Sequence, residues 1–258
     1  MRTNKARFML VLAVIVMLAA FPISASANHS WGGYHWARTS NPFTIKLGDN
    51  VSGLWDGMLV TASNDWSQSG VLNTTIVTGG TRPKNCRPTA GRVEVCNANY
   101  SNTGWLGVAQ IWLSGGHIAQ GVVKNNDYYF GNSTYRYNNK AEMQHVICQE
   151  IGHTFGLGHT SEDGSSQNTC MDYYHNTSDS DTTSTHPNAH DYQQLDSIYA
   201  HLDSTTTIAS APTGFANADM HAIENWGEKV SDNGKTAIFV RDFGKGFEIV
   251  TFVIWATE

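Results

Sequence analysis

The chain has 258 residues, enough for one large domain or two small ones, and a formal net charge of −6. Arg2, Lys5 and Arg7 are the only charged residues among the first 27, so 13 basic residues face 22 acidic ones in the remainder. A net charge there of about −9 argues against nucleic acid or an anionic membrane surface as the main partner.

MRTNKAR is a basic start, FMLVLAVIVMLAAF a short apolar run and Ala25-Ser26-Ala27 a small-residue cleavage signal, which together predict a secretory signal peptide over residues 1–27. The apolar run is about 14 residues where a membrane span needs about 20, and no later segment approaches that length. The expectation is a secreted, extracellular protein with no membrane span, monomeric, whose mature chain starts near Asn28.

Phe43, Ile45 and Leu47 then alternate like a strand with one buried face, and Leu54, Trp55, Met58, Leu59, Ala62 and Trp66 recur at helical spacing up to Gly70. VLNTTIVTG returns to strand character, and RPKNCRPTAGRVEVC reads as a loop rich in Pro, Gly and Arg. Two β-rich runs flank Gly115-Gly116, and the polar, aromatic stretch NNDYYFGNSTYRYNN follows. A long helix is predicted from Asn139 to Leu157, with Met143, Val146, Ile147, Ile151 and Phe155 on its apolar face and Gly156 and Gly158 to stop it.

SEDGSSQNTCMDYYHNTSDSDTTSTHPN is too polar to bury a core and should wrap the surface, and NAHDYQQLDSIYAHLD forms a last helix. Residues 204–214 turn to Ser, Thr, Ala and Pro, the composition of a linker or surface tether. Beyond it, TAIFVRDFGKGFEIVTFVIWATE alternates around Gly244-Lys245-Gly246 as a β-hairpin, which must pack on the main domain or a partner to be stable. The chain thus divides into 1–27, a main α+β domain over 28–203, the linker 204–214, and a small β-rich extension over 215–258.

Four cysteines follow the leader, and in an oxidising compartment they allow three pairings. Cys86 with Cys96 and Cys148 with Cys170 is the favoured one, closing the Pro-rich loop and tying the long helix to the segment after it. A cysteine zinc site is the rival reading, but the spacings lack a CxxC knuckle.

The chemistry concentrates in CQEIGHTFGLGH, residues 148–159. Positions 149 and 153 lie one turn apart on one helix face, Glu150 stands beside the first, and Gly156 lets the chain turn back so that His159 approaches from another direction. That is the pattern of a catalytic zinc site with three protein ligands and an open position.

QEIGHTFGLGH resembles the metzincin signature HExxHxxGxxH, matching at Glu150, His153, Gly156 and His159 and departing at Gln149. Met171 in CMDY looks like the Met of the metzincin Met-turn, and Tyr173 matches a tyrosine that astacin- and serralysin-like members place near the zinc. The likeness spans roughly residues 36–202 and implies a zincin-like fold: a twisted mixed sheet, an active-site helix, the Met-turn and a C-terminal helix. It implies Zn2+ held by Gln149, His153 and His159, with Glu150 activating a zinc-bound water to hydrolyse a peptide bond and Tyr173 stabilising the oxyanion or acting as a displaceable fifth ligand.

Gln149 offers a neutral carbonyl oxygen where the signature has an imidazole, which weakens zinc binding. His145 lies two turns before His153 and cannot share its ion, while His117, His175 and His190 lack the motif spacing. The reading is a secreted zinc metalloendopeptidase acting on peptide or protein; the alternatives are an inactive metzincin fold that binds peptide, and a carbohydrate- or surface-binding protein suggested by eight tryptophans.

Overall fold

A computed structural model describes residues 29–161, 163–209 and 218–257; the expected signal peptide and much of the expected linker lie outside the described residues. Among the described residues the architecture is mixed α+β, with four α-helices and one large mixed sheet. The strands are β1 (His35–Trp36), β2 (Phe43–Asn50), β3 (Leu72–Thr78), β4 (Val93–Ala98), β5 (Trp105–Ser114), β6 (His117–Asn126), β7 (Glu228–Asp232), β8 (Thr236–Asp242) and β9 (Phe247–Trp255). The helices are α1 (Leu54–Trp66), α2 (Asp127–Phe130), α3 (Lys140–His153) and α4 (Ala189–Ile198).

The sheet runs β3-β2-β4-β6-β5-β9-β8-β7, with β1 beside β6. β3, β2, β4 and β6 pair parallel, and from β5 onward every pairing is antiparallel. Parallel strands need helices on their faces, and α1, between β2 and β3, supplies one crossover.

β5 is buried on both faces along nearly its whole length, so its residues do not alternate between apolar and polar. Ala109, Ile111 and Leu113 face the core under α1 and α3, with Trp66, Val146, Ile147, Ile151 and Phe155. Val108 and Trp112 face a second cluster on the other side, with Trp105, Met220, Trp226, Phe239 and the Cys86–Cys96 bridge. Trp36, Trp55, Trp66, Trp105, Trp112 and Trp226 are all buried, so most of the tryptophans that suggested a binding surface are core.

Both disulfides have the expected pairing, Cys86–Cys96 and Cys148–Cys170. RPKNCRPTAGRVEVC is only partly loop: its end is β4, a central strand between β2 and β6 whose Val93 and Val95 are buried. The Pro and Gly signals that mark the loop belong to the residues before the strand. Helix α3 is shorter than its periodicity suggests, starting after the cap Asn139, whose side chain accepts from the Glu142 N–H at 2.8 Å, and ending at His153. α4 likewise stops at Ile198 after a capping box formed by Asn188 and Asp191.

The C-terminal hairpin around Gly244-Lys245-Gly246 is β8 and β9, and the polar β7 adds a third strand that has no alternating pattern to betray it. β9 pairs with β5 from Trp105 to Ser114, so these strands continue the main sheet. Thr207 N–H donates to Ala37 O and Ala209 N–H to Gly91 O, so the described start of the expected linker is laced to the domain. Among the described residues no helix is long and apolar enough to cross a membrane.

Candidate metal centre

Helix α3 is buried from Ala141 through His153, between the sheet on one side and α1 and the 170–176 segment on the other. Its end is built by distant residues. Gly156 has φ +94°, and an added Cβ there would strike the carbonyl oxygen of Tyr34, so only glycine lets the chain reverse against the N-terminal segment. Trp31 N–H donates to Gly156 O, Gly158 N–H to His29 O, and the Trp36 indole to Thr154 O at 2.9 Å. This clamp over residues 154–158 delivers His159 back beside His153.

The two imidazoles meet through Nε2 atoms 3.0 Å apart. His153 Nδ1 bonds the Leu157 carbonyl at 2.8 Å, which assigns its proton to Nδ1 and leaves Nε2 a lone pair. His159 Nδ1 faces the Tyr173 hydroxyl at 2.6 Å. The structure therefore places Tyr173 behind His159, on the ring nitrogen opposite His153.

Gln149 is 1% exposed, and its Nε2 donates to the carbonyls of Cys170 at 2.7 Å and Asp172 at 2.6 Å. Both N–H bonds are thereby used, and the amide oxygen, on the other branch, is the atom left to act as a ligand. The loop that holds the amide is itself fixed: Asp172 accepts from Gln167 N–H, Tyr174 N–H and the Ser184 hydroxyl, and Cys170 is bound to Cys148. Met171 is fully buried against Gly152, where an added Cβ would lie 2.6 Å from its sulfur. Gly152 is thus what allows the turn to pack directly under the helix.

Glu150 is buried against β5, with no well-formed hydrogen bond to either carboxylate oxygen. Gly107 makes the room: a Cβ there would lie 2.6 Å from Glu150 Oε1. Burial raises the Glu150 pKa well above its ordinary value, and the Ala109 backbone opposes it only in part. Burial also lowers His153 to about 4 despite its bond to Leu157, and drives His159 well below its ordinary value, with His153 and His145 adding to the effect. Both rings are therefore neutral, as metal ligands must be.

Donor chemistry and arrangement fit a zinc ion: two neutral imidazoles at the separation of neighbouring tetrahedral ligands, about 3.3 Å for bonds of about 2.0 Å, oriented from behind by a carbonyl and a hydroxyl, with an amide one turn away. No local sequence pattern marks the cover over this pair. Phe252 of β9 stacks on His153 with centroids 4.4 Å apart and planes 6° from parallel, and Lys235, Thr236 and Ile254 line the small gap beside Gln149 and Tyr173.

The other histidines go elsewhere. His145 lies one turn before Gln149, its Nε2 3.4 Å from the amide nitrogen, and donates toward Asp172 O. His175 binds Glu142 Oε1 at 2.6 Å. Burial opposes ionisation of Glu142, but its bonds to His145 and His175 outweigh burial and hold it at about 2. His190 stacks on His29 beside Asp191, and His117 belongs to a separate cluster.

No family model matches the chain, and no curated protein matches it.

Proposed function

We propose that the protein is a secreted zinc metalloendopeptidase of metzincin type, held closed by its own C-terminal strands. The observation that carries this is the His153–His159 pair, two neutral imidazoles 3.0 Å apart with Gln149 one turn away and its amide nitrogen already engaged. The parallel strands with antiparallel β5, the buried α3 and the Met171 turn beneath it support the zincin-like reading. The leader-like residues 1–27 and two disulfides support an extracellular setting.

His153, His159 and the amide oxygen of Gln149 would hold the ion. Zinc, when bound, supplies a Lewis acid that polarises a carbonyl and acidifies water. Glu150, as a carboxylate, would take the proton from the attacking water and deliver it to the leaving amine, and its apolar setting, which raises its pKa, favours that uptake. Tyr173 acts through His159, fixing its ring and tautomer. A peptide substrate would add as a strand to the edge of β5, and β9 now fills that edge.

That same covering favours a second reading, a fold of this type that binds without cutting. The two part in one experiment on the full chain and on a chain ending at Ala209: zinc content, and chelator-sensitive cleavage of casein. The peptidase reading expects a zinc that His153→Ala removes, and cleavage in the shortened chain that Glu150→Gln abolishes. Zinc without cleavage in either chain supports the binding fold; no zinc dependent on His153 overturns both.

A further inference from the structure

A second set of ligand-type side chains converges away from α3. His35 on β1 and His201 and Asp203 beyond α4 bring ligand atoms within 4.8 Å of one another, and His117 at the β5–β6 turn reaches the same Asp203 oxygen. Asp203 Oδ1 lies 3.4 Å from His35 Nε2, 3.3 Å from His117 Nε2 and 3.7 Å from His201 Nε2, and His201 Nε2 is 3.2 Å from His35 Nε2. Ligands bound at about 2.0–2.1 Å to one tetrahedral ion are spaced about 3.3–3.4 Å apart, and the three separations among His35, His201 and Asp203 bracket that value.

The groups behind the donors are those a metal site uses to aim its ligands. His35 Nδ1 bonds the Gly33 carbonyl at 2.9 Å, which places its proton on Nδ1 and turns a bare Nε2 inward. Asp203 Oδ2 is taken by Arg38, through its backbone N–H at 3.1 Å and guanidinium at 2.9 Å, leaving Oδ1 for the cluster. The buried Arg38 also donates to the carbonyls of Tyr199 and His201, and Asp203 N–H donates to Arg38 O, so the His201–Asp203 segment is locked in place. With its proton on Nδ1, His35 presents a bare Nε2 to Asp203 Oδ1, and a cation between them satisfies both lone pairs.

We propose that His35, His201 and Asp203, completed by His117 through a turn of its part-exposed ring, form a four-ligand structural site for zinc, separate from the centre on α3. Four protein ligands leave no open position, so the site is structural in kind. It ties the β1 segment, the β5–β6 turn and the chain after α4 into one knot. Because Tyr34 of that segment abuts Gly156, the knot braces the turn that delivers His159. The His117 and His201 side chains are 34% and 56% exposed, so an ion can enter from solvent and either residue can be removed without opening the core.

The test is metal analysis of the full-length mature protein after equilibration with zinc, beside His117→Ala/His201→Ala and, separately, His153→Ala/His159→Ala. The proposal expects the first double variant to hold one zinc fewer per chain than wild type, and the second to keep that zinc. It also expects chelator to lower the wild-type melting temperature by several degrees and by much less in His117→Ala/His201→Ala. Cobalt in place of zinc should give a visible absorption band of tetrahedral type that the same variant loses. Equal zinc content in wild type and His117→Ala/His201→Ala overturns the site, as does a wild-type chain whose only zinc disappears with His153 and His159.

Discussion

Replacing Cys148 and Cys170 together by alanine removes a cross-link between residues 22 positions apart. Freeing a loop of that length in the unfolded chain destabilises the fold by about 3 kcal/mol at 25 °C in the chain-entropy account. The effect on the site is more specific than the number. Cys148 O receives the Trp66 indole at 3.1 Å and Cys170 O receives the Gln149 amide at 2.7 Å, so the bond joins the helix to the loop that orients the proposed ligand. Urea denaturation followed by tryptophan fluorescence should show the midpoint falling by roughly 1–2 M for a slope of roughly 2 kcal/mol per M. Zinc bound through His153 should weaken in parallel. A loss of stability under about 1 kcal/mol with unchanged zinc affinity would refute this reasoning, and would mean that the hydrogen bonds of Asp172 alone hold the loop.

Gly156→Ala should destabilise the protein by more than the roughly 1 kcal/mol of an average substitution, because it adds left-handed strain to a clash with the Tyr34 carbonyl; a melting temperature within a degree of wild type would contradict the clamp. Phe252→Ala should cost about 3–5 kcal/mol as a core truncation and speed the exchange of zinc from the α3 centre, measured with a chromogenic chelator; an unchanged release rate would mean that Phe252 is no lid. Fully buried Lys124 titrates at about 8, pulled down by burial against the opposing charge of Asp219. Its folded pKa lies below its unfolded one, so the unfolded chain binds more protons between about pH 8 and 10.4, and stability attributable to Lys124 rises with pH there by up to about 3 kcal/mol. In urea titrations at pH 7.5 and pH 10, Lys124→Met should therefore gain most over wild type at the lower pH; a pH-independent gap would exclude a depressed lysine.

Local pattern made much of the fold legible. Period-two runs marked β2, β8 and β9, β-rich runs flanking Gly115-Gly116 marked β5 and β6, helical spacing marked α1, α3 and α4, and Gly156 marked the chain reversal. The misses have physical causes. β4 follows Pro, Gly and Arg residues that read as loop, and its strand character comes from burial between β2 and β6. β7 is exposed and polar, and exists because β8 offers it hydrogen-bond partners.

The sequence by itself determined which side chains could do chemistry in α3 and at what spacing, since helix geometry converts positions 149, 150 and 153 into neighbours without help from the rest of the chain. Only the tertiary structure decided how those side chains are held. The amide of Gln149 is turned by carbonyls more than twenty residues away, His159 is returned by a clamp from residues 29–36, and Phe252 closes over His153 from a strand nearly a hundred residues later. The His35, His117, His201 and Asp203 cluster is wholly of that kind, because its residues share no local pattern and meet only when β1, the β5–β6 turn and the end of α4 pack together.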